Sequence, residues 1–306
     1  MSSLLVFPGQ GAQRAGMLHG LSPQVLDEAS DALGEDVLQL DNAEALQSTR
    51  AVQLCLLIAG VAASRRLLEQ APAPDYVAGL SIGAYPAAVV AGALGFEDAL
   101  RLVSLRGELM QQAFAQGYGM TAIIGLDLAA VEALLARVHS ERTPVYLGNI
   151  NADNQVVIAG SDEAMSIVAR EARSQGAAKA CRLAVSVPSH CPLLEAPARA
   201  LAQAFADVPL KAPSLGYLSG SRARPMANIE ALRDDLAFNM CRVVDWRGTV
   251  QSAYERGVRL QIELPPGAVL TGLARRVFEQ GTVIAFDGAR LDTLQALLRE
   301  EGRRRP

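Results

Sequence analysis
The sequence predicts an α/β fold in which one large domain is interrupted by a smaller one. Two observations predict the large domain. Short apolar runs alternate with longer helical patterns, and a G-x-S-x-G motif sits where one such run gives way to a helix. A third observation predicts the interruption, because the middle of the chain follows a different order of elements from its two ends. With 306 residues, half of them hydrophobic, the chain can build one large core, or one domain carrying an insertion.

Leu4–Phe7 reads as a buried strand that runs into the glycine turn Pro8-Gly9-Gln10-Gly11. Ser22-Pro23 is a good N-cap and first-turn pair for a helix, and a long apolar helix is expected from Thr49 to Glu69. The proline-rich stretch Ala71–Pro74 then leads into a strand at Tyr76–Gly79, followed by helices at Gly83–Ala91 and Glu97–Gln116. This alternation indicates a mostly parallel sheet. In the middle, strands are expected at Thr121–Ile124, Val145–Ile150, Val156–Gly160 and Lys179–Leu183, with helices at Leu128–His139 and Asp162–Gln175. Their order, β-α-β-β-α-β, is that of a ferredoxin-like unit. It begins after Gly117-Tyr118-Gly119 and ends before Pro188. The first pattern resumes with strands near Leu215–Leu218, Arg259–Glu263 and Val283–Phe286. The expected division is a discontinuous large α/β domain, residues 1–117 and 189–306, around a small ferredoxin-like domain, residues 118–188.

Composition narrows the function. A net charge of -4 argues against sequence-independent binding of nucleic acid, which needs an excess of Lys and Arg. Arg303, Arg304 and Arg305 read as a solvated tail. The first residues lack the basic and long apolar regions of a signal peptide. No run of about 18 uninterrupted apolar residues predicts a membrane span. Cys55, Cys181, Cys191 and Cys241 are scattered and form no C-x-x-C pair, so they read as free thiols in a reducing cytoplasm. Three isolated histidines and no H-x-x-E-H or C-x-x-C spacing offer no metal site.

Gly79-Leu80-Ser81-Ile82-Gly83 has the strand–turn–helix setting of a nucleophile elbow, which exposes a serine hydroxyl at a helix N-terminus. Glycine and serine also make ordinary turns, so Ser81 needs a base beside it. His19 and His139 are placed in solvated settings. His190 follows Ser186-Val187-Pro188-Ser189, where the chain re-enters the large domain, and is either a turn histidine or a base facing Ser81 across a cleft. Arg106 lies in the apolar stripe of Val103, Gly107, Met110 and Phe114. A buried guanidinium needs a partner, so Arg106 pairs with a core acid, reaches outward, or faces a cavity where it can grip a free carboxylate.

Together, Phe7-Pro8-Gly9-Gln10-Gly11-Ala12-Gln13, the Gly79–Gly83 motif and Val185-Ser186-Val187-Pro188-Ser189-His190 resemble the malonyl-CoA:acyl-carrier-protein transacylase family. Asn149-Ile150-Asn151, Gln155–Gly160, Pro266–Gly272, Arg106-Gly107 and Gly119-Met120 extend the likeness over essentially the whole chain. The resemblance implies an α/β-hydrolase-like core and a cytoplasmic acyltransferase working by a ping-pong route. Ser81 would be the nucleophile, His190 the general base, and Arg106 the grip on the distal carboxylate of malonyl. The backbone N–H groups of Gln10 and Ile82 would form the oxyanion hole. Leu80 and Met120, with Gln10, would line the substrate site, and Asn239 would orient His190 through its amide. No tightly bound cofactor is implied; malonyl-CoA is the substrate and an acyl carrier protein brings its own phosphopantetheine-type thiol. Such carriers are typically acidic, so a basic rim is expected beside the cleft, with Arg173, Lys179 and Arg182 as its candidates.

Leu80 and Ala84 depart from the family, which commonly has His and an acid there, and Pro265-Pro266-Gly267 replaces its usual Gly-Pro-Gly. The stretch Gly79–Val89 looks most like the epsilon subunit of biotin-independent malonate decarboxylase. That likeness makes the decarboxylase's carrier, with its phosphoribosyl-dephospho-CoA thiol, the expected acceptor, and the other subunits of that complex expected partners. The alternatives are the transacylase of fatty-acid synthesis and a serine thioesterase.

Overall fold
The computed structural model describes residues 2–114 and 116–303. Of the arginine-rich end, Arg303 is an exposed last helical residue, and Arg304 and Arg305 lie outside the described residues. In chain order the first elements are β1 (Ser2–Phe7), α1 (Pro23–Leu33), α2 (Thr49–Leu68), β2 (Tyr76–Gly79), α3 (Ala84–Val90) and α4 (Phe96–Ala113). The middle holds β3 (Tyr118–Ile124), α5 (Leu128–Val138), β4 (Val145–Ala152), β5 (Gln155–Ser161), α6 (Asp162–Ser174) and β6 (Lys179–Arg182). Next come α7 (Glu195–Ala204), β7 (Gly216–Ser219), β8 (Arg224–Met226), α8 (Ile229–Phe238) and β9 (Val244–Asp245). The chain closes with α9 (Trp246–Glu255), β10 (Val258–Glu263), α10 (Val269–Ala274), β11 (Thr282–Ala285) and α11 (Leu291–Arg303).

The strands form two sheets, and the fold is α/β with mixed sheets. The first has the order β11-β10-β1-β2-β7-β8. Its first five strands run parallel and β8 returns antiparallel at the edge. Strand β1 shows why the sheet is central: Leu5 and Phe7 point into the core beneath α2, α3 and α4, while Leu4 and Val6 point into a second core under α9 and α10. A strand buried on both faces reads as an unbroken apolar run, as Leu4–Phe7 does. Helix α2 is long and apolar enough to cross a membrane by length and composition, but most of it is buried inside the protein. A helix apolar all round is one that neighbours cover on every side.

The second sheet has the order β6-β3-β5-β4-β9. Strands β3 to β6 pair antiparallel and come from one continuous stretch of chain. The fifth strand, β9, arrives from far downstream and pairs parallel with β4 at Asn149 and Ile150. A two-residue strand has no period to read, so nothing in the sequence marks it. Helices α5 and α6 cover one face of this sheet, packing on Ile123, Val156 and Ile158. Met120, Ala122, Val157 and Ala159 point to the other face, toward the crossing segment that carries Val185 and Cys191. The four cysteines are free.

Candidate active site
The end of β1 and the turn between β2 and α3 meet at Ser81. Leu80 N–H donates to Phe7 O at 3.0 Å, and Gly83 N–H donates to Leu80 O at 3.0 Å, closing the turn between β2 and α3. A Cβ on Gly79 would stand 1.9 Å from the carbonyl carbon of Gly83, and one on Gly83 would stand 2.2 Å from Phe7 O. The two glycines of G-x-S-x-G are thus required by space, not by backbone freedom. Between them Ser81 takes φ 56, a left-handed conformation that serine rarely adopts and that surrounding packing must hold.

His190 meets Ser81 across the cleft. Its Nε2 lies 2.8 Å from Ser81 Oγ, and its Nδ1 lies 2.7 Å from the main-chain oxygen of Asn239. The His190 N–H donates to Met240 O at 2.7 Å, and its backbone too is left-handed, with φ 64. Burial and the nearby Arg106 cation pull the imidazole from its ordinary value down to about 4. The ring is therefore neutral at pH 7 and able to take a proton. His19 and His139 are exposed.

Asn239 departs from expectation. Its main-chain carbonyl, not its side-chain amide, orients the histidine. The amide turns the other way, and Oδ1 accepts from Arg106 Nη2 at 3.0 Å. The physical reason is position: Asn239 begins the turn that ends α8, where carbonyls lack helical partners and are free to accept.

Arg106 is fully buried on α4, yet every hydrogen-bond acceptor it meets is neutral. Nη1 donates to Gln53 Oε1 at 2.6 Å, Nη2 reaches Asn239 Oδ1 and, at 3.4 Å, Ser81 Oγ, and Nε has no partner among the described residues. The Tyr85 ring lies 6.0 Å from the guanidinium carbon. Burial lowers the Arg106 pKa from its ordinary value, but an arginine stays charged. An isolated buried cation beside a nucleophile is a site waiting for an anion. Gln53 and Tyr85 escaped the sequence reading. A lone glutamine in the apolar run of α2 was the signal for the first.

A cavity of about 310 Å³ opens from Ser81 and His190 between the two sheets. Gln10 and Leu80 line it from the large sheet, and Met120, Asn149, Asn151 and Gln155 line it from the small one. Asn149 and Asn151 each hold a side-chain oxygen with no protein partner. The cavity also touches Val269 and Leu270 at the start of α10. Buried Glu263 fixes that start by accepting from Leu270 N and Thr271 N at 3.0 and 2.6 Å, an anchor that sequence reasoning also missed. Arg173 and Arg182 do not rim this cavity. Arg182 pairs with Thr121, whose side lies opposite that of Met120 and Ala122, and both arginines border a separate hollow against α6. Strand alternation decides this, and the charge pattern alone concealed it.

Comparison with known proteins agrees with this geometry. The family described as acyl transferase domain matches residues 4–303. The malonyl CoA-acyl carrier protein transacylase of Haemophilus influenzae is 40% identical over 285 residues, covering 89% of this chain and 91% of that protein. The solved structure of the malonyl CoA-acyl carrier protein transacylase from Coxiella burnetii superposes with a TM-score of 0.92 at 35% identity, covering 98% of each chain. A type II PKS malonyl-transacylase, solved in complex with its acyl-carrier protein, superposes with a TM-score of 0.90 at 37% identity over 97% of this chain and 99% of that one. The chain belongs to the acyl transferase domain family, among the malonyl CoA-acyl carrier protein transacylases, and it is an acyltransferase.

Proposed function
We propose that this enzyme moves malonyl from malonyl-CoA to the thiol of an acyl carrier protein through an ester on Ser81. The observation that carries the reading is Arg106, a fully buried cation with neutral acceptors, 3.4 Å from the nucleophile. In the first half-reaction His190 Nε2 takes the Ser81 proton as Oγ attacks the thioester carbon. The tetrahedral oxyanion then collapses, the C–S bond breaks, and His190 returns the proton to the departing CoA thiolate. In the second, the carrier thiol gives its proton to His190, attacks the ester, and Ser81 leaves with that proton. The N–H of Ile82, next to Ser81, and of Gln10, on the cavity wall, would hold the oxyanion in both halves. Loss of one such donor costs roughly 10²–10³ in rate. Asn149, Asn151 and Gln155 form an amide-bearing wall suited to the amides of a pantetheine arm. Leu80 and Met120 contribute to the apolar lining of the rest of the passage.

The strand order and antiparallel pairing of β3 to β6 support reading residues 118–188 as a ferredoxin-like domain, set within a large α/β-hydrolase-like domain of residues 1–117 and 189–306. The free cysteines suit a cytoplasmic enzyme.

Two carriers remain in view. The names of the relatives support the alternative reading, an acyl carrier protein of the kind used in fatty-acid synthesis. The malonate decarboxylase carrier, with its phosphoribosyl-dephospho-CoA thiol, rests on the likeness of the Gly79–Val89 stretch and its departures at Leu80 and Ala84. The structure gives these residues a physical setting, since Leu80 lines the cavity and Ala84 is buried at the start of α3. An acid at position 84 would bury a charge at the start of α3. Mass spectrometry of the chain with malonyl-CoA should show one malonyl adduct on Ser81, stable for minutes and discharged by a carrier thiol. Rapid loss of the adduct without a thiol would make the enzyme a thioesterase instead. Parallel reactions with each carrier decide the acceptor.

A further inference from the structure
Helix α8 ends beside the Ser81–His190 pair, and the turn that follows it, Asn239–Cys241, supplies three of the contacts that define the site. Asn239 O receives His190 Nδ1–H, Met240 O receives the His190 main-chain N–H, and Asn239 Oδ1 receives Arg106. What holds this turn at the right height lies one turn earlier. Asp235 is 1% exposed, and its carboxylate collects three hydroxyl groups from β7 and the loop that follows. Ser219 and Ser221 donate to Oδ1 at 2.7 and 2.6 Å, and Tyr217 donates to Oδ2 at 3.2 Å. Asn239 N–H in turn donates to the main-chain oxygen of Asp235, so the two residues share one helical connection.

We propose that Asp235 is a positioning residue for the Ser81–His190 pair. Its hydroxyl cage fixes the last turn of α8, and with it the place where Asn239 meets both His190 and Arg106. The alternative anchors are weaker guides. Leu232 and Leu236 seat α8 in the core, but apolar contact has no direction and tolerates small slides. Charge-assisted hydrogen bonds to a carboxylate have direction and are about twice as strong as neutral ones. The Tyr85 hydroxyl adds a second tie, donating to Leu236 O at 2.9 Å from α3, the helix that follows the Ser81 turn. Both ties converge on consecutive residues of α8, and Tyr85 also carries its ring against Arg106. A displacement of the turn would loosen the base and the carboxylate grip together.

The test compares Asp235→Ala, Asp235→Asn and Leu232→Ala. Asparagine keeps an acceptor for both serines and can donate to the Tyr217 oxygen. Leu232→Ala weakens the same helix but leaves the cage intact. Single-turnover acylation of Ser81 is followed at saturating malonyl-CoA and acetyl-CoA, alongside thermal melting. Asp235→Ala should slow malonyl acylation about tenfold or more and shrink the malonyl-over-acetyl preference, since a misplacement near 1 Å can cost about 10²-fold. Asp235→Asn should restore the rate to within about threefold. Leu232→Ala should melt earlier yet keep both rate and preference. A wild-type rate in Asp235→Ala overturns the proposal, as does an equal loss of rate and preference in Leu232→Ala. Should Asp235→Ala fail to fold, the Ser219→Ala/Ser221→Ala double variant carries the same comparison. The inference rests on malonyl-CoA acylating Ser81. Wild-type enzyme that forms no adduct would strike that reading, whereas a normal adduct with an indifferent Asp235→Ala strikes this one alone.

Discussion
The main-chain carbonyl of Asn239 lies 2.7 Å from His190 Nδ1, where a triad hydrolase places a carboxylate. A carbonyl oxygen can only accept, so Nδ1 carries the hydrogen and Nε2 faces the Ser81 hydroxyl as the acceptor. An imidazolium formed at His190 under the proposed mechanism would gain a dipole rather than a full negative charge. A thioester makes that sufficient, because a thiolate leaves more readily than an alkoxide or amine. Asn239→Ala keeps the carbonyl and removes only the amide contact to Arg106. Single-turnover acylation should fall less than about tenfold in that variant, against about 10²–10⁴ for His190→Ala. A loss in Asn239→Ala as large as that of His190→Ala would place the orienting contact in the side chain.

Arg106 meets no acid among the described residues, so its charge would be available to a substrate carboxylate. Arg106→Ala should reduce malonyl acylation by about 10²-fold or more, the scale of a buried charge-assisted pair that has lost one partner. Acetyl, which brings no carboxylate, should lose far less. The comparison is made by kcat/KM for the two thioesters on the same protein preparations. Equal losses would show that Arg106 serves the fold through Gln53 and Asn239 and not the acyl group.

Ser81, His190 and Arg106 each stood out against a local rule: a serine flanked by glycines at a strand end, a histidine after a Pro-Ser turn, a cation inside an apolar stripe; those rules left the last two open, and the family resemblance singled them out. Most strands of both sheets were legible for the opposite reason, since the cores of β1, β2, β3 and β5 are short, mainly apolar runs. What stayed hidden depends on atoms that sequence does not order. Main-chain carbonyls have no letter, so the true partner of His190 Nδ1 could not be told from the Asn239 amide. The two arginines carried the right charge, and only the β3–β6 register for Arg182 and the packing of α6 for Arg173 show that they border a different hollow from the cavity. Strand β9 is too short to leave a pattern.

His190 links activity and stability to pH. Its pKa is about 4 in the folded protein and near 6.5 in an unfolded chain. Between these values the unfolded state binds the extra proton, so stability rises with pH through the window and is lost as pH falls from about 6.5 to about 4. A shift of this size corresponds to on the order of 3 kcal/mol. Denaturant melts from pH 4 to 7 should show His190→Ala losing part of the wild-type acid sensitivity, with the two proteins diverging below pH 6.5 and not above it. The acid limb of the acylation rate should lie well below the ordinary histidine value. In Arg106→Ala that limb should move up, because the cation that disfavours imidazolium is gone. An acid limb that stays fixed in Arg106→Ala would mean that burial alone sets the histidine.

Two glycine substitutions separate the space at the elbow from general helix effects. Gly83 has ordinary right-handed angles, φ -57 and ψ -17, so alanine fits its backbone. Its Cβ, however, would stand 2.2 Å from Phe7 O and 2.9 Å from Pro8 O, and neither is the end of a flexible side chain. Relief requires α3 to move away from β1, which carries Ser81 away from His190 and from Arg106. Gly83→Ala should therefore lose at least about 10²-fold in acylation while retaining the nucleophile itself, and overpacking should cost about 1–3 kcal/mol of stability. Gly272 sits in α10 with nothing within 4 Å of its would-be Cβ. Gly272→Ala should stabilise by up to about 1 kcal/mol through helix propensity and leave the rate unchanged. Acylation by mass spectrometry and melting of both variants check the pair. A fully active Gly83→Ala would show that the elbow yields without moving its serine, and the steric account of the G-x-S-x-G motif would then fail.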